Sequence, residues 1–319
     1  MAPTQPSTVL QSVPKAARRR RILYAIVIFL ALAALYFAMG AALTWASIRP
    51  KRWSQDKTPA QFSVAFSDIS FTSRDGVPLS GWYVPVPHPR GVIVLCHGID
   101  GSRGSMLGNV DMLHRAGFAT VLFDFRARGL SGGALCTLGL REPEDIQAAV
   151  RWIEHNEDLY GVPIGILGKS LGGASSIMAA ARTPEVRAII VEAPFSQLDR
   201  AVDCNFREIA GIAAPFFAFP TRLAGEVALG CKGSRVSPVR EIAEIAPRPI
   251  LIVADAEDTL FPATETNALF QAAGEPKELW TVPGAGHCGA IDVEPEQYKR
   301  RITQFFVTHL KMQAVGNRQ

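Results

Sequence analysis

No charged side chain interrupts residues 22 to 48, ILYAIVIFLALAALYFAMGAALTWASI. Hydrocarbon offers backbone amides and carbonyls no water to bond, so a lone segment of this kind can satisfy them only as an α-helix. About 20 apolar residues cross the slab, which makes residues 22 to 48 a predicted transmembrane helix. Tyr24 and Trp45 stand near its ends, where amphipathic rings favour the headgroups, and Arg49, Lys51 and Arg52 stop the run. A cleaved signal sequence would carry an apolar region of about 7 to 15 residues, so the run reads as an uncleaved anchor.

The formal charge of +4 comes partly from Lys15 and Arg18 to Arg21, a block that borders the apolar run. That setting marks it as a membrane flank, and no nucleic-acid partner is expected. These five basic residues outnumber the four that follow closely, Arg49, Lys51, Arg52 and Lys57. The rule of basic cytoplasmic flanks then places the N-terminus in the cytoplasm and the bulk of the chain outside it. The expected organisation is a basic tail at 1–21, the anchor at 22–48, a linker at 49–62, a globular domain at 63–312 and a C-terminal tail at 313–319.

Residues 63 to 86 alternate apolar and polar side chains around Asp75-Gly76, the pattern of a β-hairpin. From residue 90 onward come short continuous apolar runs, GVIVLC, ATVLFDF, PIGILG, RAIIVEA, PILIVAD and KELWTV. Such runs suit strands buried on both faces of a parallel sheet. Helical stretches alternate with them, REPEDIQAAVRWIEHN presenting Ile146, Val150 and Ile153 on one face. Alternation of this kind predicts a doubly wound, mostly parallel α/β sheet. It lapses at about 196–245, which is read as a small helical cap inserted over the sheet.

The chemistry centres on GILGKSLGGAS. Ser170 lies between a predicted strand and a small-residue helix, with Gly168 and Gly172 two positions to either side. Glycines there permit a sharp strand-to-helix turn that lifts the hydroxyl clear of the sheet. A serine nucleophile needs a base, and the base needs a carboxylate to orient it. Downstream, PILIVADAEDTLFP supplies Asp255, Glu257 and Asp258 as candidate acids, and VPGAGH supplies His287 as the base. Developing oxyanion charge calls for backbone amides, expected from Leu171 after the nucleophile and from Ile99 in the loop VLCHGIDGS. His97 is expected to orient that loop, and DFRARGLSGG at 124–133 to form a structural turn. No Cys/His spacing resembles a zinc site, and no cofactor is implied. Cys204 and Cys231 in the cap either pair or remain thiols.

Together, His97-Gly98 with Gly101-Ser102, RARGLSGG, GKSLGG, EDTLFP and GAGH resemble the α/β-hydrolase superfamily over about residues 63 to 310. Within it the chain resembles the serine aminopeptidase-like hydrolases and the single-pass, membrane-anchored α/β-hydrolase-domain proteins. The resemblance implies an α/β-hydrolase fold and a Ser170, Asp258, His287 triad. Its catalytic acid occupies an Asp, three residues, Pro pattern, which Asp258 and Pro262 reproduce. Relatives often carry His-Gly after the penultimate strand where this chain has Ala254-Asp255, which keeps Asp255 an alternative. The expected activity is cleavage of a lipid-like acyl ester or thioester. A peptidase is the enzymatic alternative, with Glu208, Glu241 and Glu244 as its acidic cluster. A binding module without turnover is the third reading. Phe206, Phe216, Phe217 and Phe219 would either pack the cap onto the sheet or meet the acyl group.

Overall fold

The structure, a computed structural model, describes residues 15–49, 51–52 and 57–311. The start of the expected basic tail, part of the linker and the tail at 313–319 lie outside the described residues.

Strand pairing sets the position of everything else. Among the described residues eight strands form one sheet, ordered β1-β2-β4-β3-β5-β6-β7-β8. β1 (Ser67–Thr72) and β2 (Pro78–Val84) form the predicted hairpin, and β2 pairs antiparallel with β4 (Ala119–Phe123). From β4 through β3 (Val92–Cys96), β5 (Ile164–Lys169), β6 (Val186–Glu192), β7 (Ile250–Asp255) and β8 (Lys277–Val282) every pairing is parallel. Every residue of β3, β4, β5 and β7 is buried, which is why these runs read as unbroken apolar stretches.

Helices cover both faces. α2 (Leu107–Arg115) places Val110 and Leu113 in one core cluster. The other cluster takes Ile146, Val150 and Ile153 of α3 (Glu142–Glu154) and Ile177 of α4 (Leu171–Ala181). The chain runs from β3 outward to β4 and then returns to β5 on the opposite side of β3. Connections leaving β3 and β5 therefore diverge, and the crevice between their carboxyl ends is where ligands bind in open α/β sheets.

The insertion is helical, as expected: α5 (Leu198–Ala210), α6 (Ala214–Leu229) and short turns ending at Ile245. After it come α7 (Ala263–Ala272) and α8 (Pro295–His309), the latter burying Ile302 and Phe306 beside α2. Cys204 and Cys231 are both free thiols.

α1 (Lys15–Ile48) begins earlier than the uncharged run, because its Lys and Arg residues are good helix formers and nothing before the apolar segment breaks the helix. It is long and apolar enough to cross a membrane, and the most apolar window of it, mean hydropathy 2.6, buries none of its residues. Its last turns behave differently. Gly40, Thr44 and Ile48 form a buried stripe at helical spacing. A Cβ at Gly40 would lie 2.5 Å from the Pro220 carbonyl carbon, so only glycine admits this approach to α6. Thr44 Oγ1 donates to the Thr221 carbonyl at 2.8 Å, and Cys136 N donates to the Ile48 carbonyl at 2.8 Å.

Gly40→Leu is expected to overpack this joint at a cost of about 1–3 kcal/mol. Proteolysis of α6 in the detergent-solubilised chain should quicken, while Ala31→Leu, at an exposed position of the same helix, should leave the rate unchanged.

Candidate active site

Ser170 is the one residue between β5 and α4, and its backbone sits at φ 54°, ψ −120°. A side chain at positive φ costs about 1–3 kcal/mol and persists only where its surroundings enforce it. Here they do. A Cβ on Gly168 would lie 2.5 Å from the Gly172 carbonyl oxygen, and one on Gly172 would lie 2.3 Å from the Cys96 carbonyl oxygen. Ser170 N donates to the Glu192 carbonyl at 2.9 Å, fixing the apex against β6.

His287 follows β8 and meets the serine: its Nε2 lies 2.9 Å from Ser170 Oγ. Its Nδ1 lies 2.7 Å from Asp258 Oδ2, while Phe261 N donates to Asp258 Oδ1 at 2.8 Å. Of the three candidate acids, then, the buried Asp258 reaches the histidine. Glu257 is exposed, and Asp255 Oδ2 accepts the Cys288 amide at 2.7 Å instead.

The sequence reading missed the buried polar cluster behind these groups. Lys169, inside the elbow motif, pairs with Glu192 at 2.9 Å, and Tyr298 Oη donates to the same carboxylate at 2.9 Å. Burial alone would lower the Lys169 pKa, but the Glu192 charge holds it above its ordinary value. Burial, with Glu192 nearby, pushes the Asp255 carboxyl up to about 7. The available signal was a charged residue closing each of two apolar runs, GILGK and AIIVE.

His97 is buried, with Nδ1 2.7 Å from the Gly98 carbonyl and Nε2 accepting Phe125 N at 3.1 Å. Burial lowers its pKa to about 4, so it is neutral and braces the loop. The turn at 124–133 is tied on both sides. Asp124 accepts the Arg103 and Leu130 amides at 2.7 and 3.0 Å, and Arg126 forks onto Asp145 at 2.6 Å and Asp75 at 2.8 Å.

A cavity of about 540 Å³ opens above Ser170, within the usual size of small-molecule sites. Ile99 and Leu171 line it beside the serine, and Leu171 opens α4, where amides lack intrahelical acceptors. Leu198, Val202 and Phe206 of α5 line another side. The side no sequence argument anticipated is α1, whose Leu43, Thr44, Ala46 and Ser47 face the same cavity. The cap phenylalanines divide: Phe206 lines the cavity with Phe217 stacked on it at 6.2 Å, while Phe216 and Phe219 remain exposed. Glu208, Glu241 and Glu244 do not converge; Glu208 accepts from Thr259, Glu241 pairs with Arg182, and Glu244 is exposed. Among the described residues no group of His, Cys, Asp or Glu is placed to hold a metal ion.

Residues 87–232 match the family described as serine aminopeptidase, S33. An uncharacterised protein of Mycobacterium tuberculosis is 29% identical over 251 residues, 74% of this chain and 81% of its own length. The uncharacterised YfhR of Escherichia coli is 25% identical over 255 residues, 77% and 82% of the two chains. Among solved structures the Pyrococcus furiosus esterase Pf2001 superposes with a TM-score of 0.72 at 26% identity, covering 83% of this chain and 98% of that one. The chain is an α/β-hydrolase.

In this hydrolase the raised Asp255 pKa links stability to pH. The native state keeps a proton that the unfolded chain releases near pH 4, so stability present below that pH is lost as pH rises toward about 7. Asp255→Asn is expected to flatten the fall in Tm between about pH 4 and pH 7 relative to wild type, measured by thermal unfolding.

Proposed function

We propose that this α/β-hydrolase is a membrane-anchored serine esterase that cleaves a lipid-like acyl ester or thioester through a covalent acyl-enzyme. The hydrogen-bonded series Asp258, His287, Ser170, opening onto an apolar cavity, carries the reading. Ser170 Oγ attacks the acyl carbonyl as His287 Nε2 removes its proton, and the imidazolium then protonates the departing alcohol or thiol. Asp258 holds the ring with Nδ1 protonated and stabilises its charge. The amides of Ile99 and Leu171 receive the oxyanion. Water, activated by the same histidine, releases the acid and restores the serine.

The esterase likeness of the Pyrococcus protein and the aliphatic walls of the cavity favour a carboxylic ester. α1 serves as the anchor. The excess of basic residues before it favours a cytoplasmic N-terminus with the catalytic domain on the other side. The match to a family named for aminopeptidases supports amide cleavage as the second reading.

The test is hydrolysis of p-nitrophenyl esters from acetyl to palmitoyl by the full chain in detergent. Ser170→Ala should lower kcat by on the order of 10⁴-fold or more, and Asp258→Asn by about 10³–10⁴-fold, while Asp255→Asn keeps most of the activity. Turnover that survives Ser170→Ala would overturn the mechanism, and cleavage of aminoacyl amides in place of esters would select the second reading.

A further inference from the structure

Arg128 is the residue whose charge the fold leaves unanswered. It stands on the turn after β4, where its amide donates to the Phe125 carbonyl at 3.0 Å. Phe125 N in turn bonds His97, so Arg128 is mounted on the same brace that holds the Ile99 loop. Its side chain is 2% exposed and lines the cavity together with Ser170 and Ile99.

Nε and Nη2 of Arg128 are closed off from solvent without an acceptor, and no ion pair reaches the guanidinium among the described residues. The neighbouring arginines differ. Arg126 is matched by two carboxylates and Arg103 sits against Asp124. Near Arg128, the Cys136 thiol is pushed up to about 12 by burial and offers no charge. Glu142 is occupied by the Thr137 amide and hydroxyl and the Gly139 amide, each at 2.7 Å. Asp100, on the same cavity wall, is exposed and makes no ion pair with Arg128.

A guanidinium does not shed its proton in a protein, so it cannot escape burial by becoming neutral as a lysine or histidine does. A buried charge without a partner is costly, and its planar fork of donors matches a carboxylate or phosphate. The donors point to a ligand that supplies the anion.

We propose that Arg128 binds an anionic group of the substrate, a carboxylate or phosphate carried by the acyl or alcohol part of an ester whose carbonyl meets Ser170. This rests on the esterase reading for the identity of the ligand and on Arg128 alone for the anion site.

The experiment compares esters matched in length, p-nitrophenyl butyrate against mono-p-nitrophenyl succinate, and monooleoylglycerol against its phosphate monoester. The full chain in nonionic detergent should prefer the anionic member of at least one pair, and which pair it prefers distinguishes carboxylate from phosphate. Arg128→Met should reduce kcat/KM for that substrate by about 10- to 100-fold, mainly through KM, and spare the neutral ester. Equal rates for neutral and anionic esters in wild type, or equal losses for both in Arg128→Met, would overturn the proposal. Thermal unfolding with succinate or inorganic phosphate is the second arm, in which an anion should raise the Tm of wild type and not of Arg128→Met. If Arg128→Met does not fold, the wild-type substrate preference and Tm shift decide. If no ester is turned over, a wild-type Tm shift lost in Arg128→Met keeps the anion site while the esterase reading falls, and absence of any shift overturns both.

Discussion

The contact between the first turn of α4 and the end of β3 governs the geometry of the site. Gly172 packs so closely on the carbonyls of Cys96 and His97 that any side chain there would drive the helix away from the sheet. Separation would relax the positive φ of Ser170, withdraw its hydroxyl from His287 and part Leu171 from the Ile99 loop. Distant strands contribute to this one contact: β6 holds the serine amide, the β7 loop supplies Asp258 and the β8 loop supplies His287. Parallel pairing brings their carboxyl ends to one edge, so residues far apart in the chain meet without a long excursion of backbone.

Much of this was legible because its signals are local. The parallel strands announce themselves as apolar runs buried on both faces, and the elbow glycines follow from the steric needs of a single turn. The ordering of the acids was less accessible. Asp255, Glu257 and Asp258 share one short loop, and what separates them is direction: Asp255 turns back toward Cys288 while Asp258 faces the imidazole. Direction at that scale depends on loop dihedrals that composition does not encode. The Lys169–Glu192 pair was illegible for a related reason, since each residue alone resembles an ordinary strand terminus until adjacent strands bring the two together. The helical cap was read correctly as an insertion, but the partners of its phenylalanines depend on α1, a segment distant in sequence.

Two kinds of buried charge lie within this small region. The set formed by Lys169, Glu192 and Tyr298 is closed on itself, each polar group answered by another, and it stiffens the floor beneath the serine. Arg128 is open: it lines the cavity, and its Nε and Nη2 are buried without an acceptor. A closed set gives rigidity, whereas an open one gives selectivity, because its energy is recovered only when a complementary ligand arrives.

Because Leu43, Thr44, Ala46 and Ser47 of α1 form part of the cavity wall, this helix is not a detachable accessory. A truncated chain beginning after α1 would retain Ser170, His287 and Asp258 yet present a trough open along one flank, with the Pro220 and Thr221 face of α6 stripped of its partner. Such a fragment would be a different catalyst, with its own substrate range and a greater tendency to aggregate. One helix therefore combines an apolar stretch long enough to cross a membrane with a wall of the cavity: a substitution in its last turns reshapes the chamber, and the hydrolase domain cannot be joined to another helix without rebuilding the chamber it encloses.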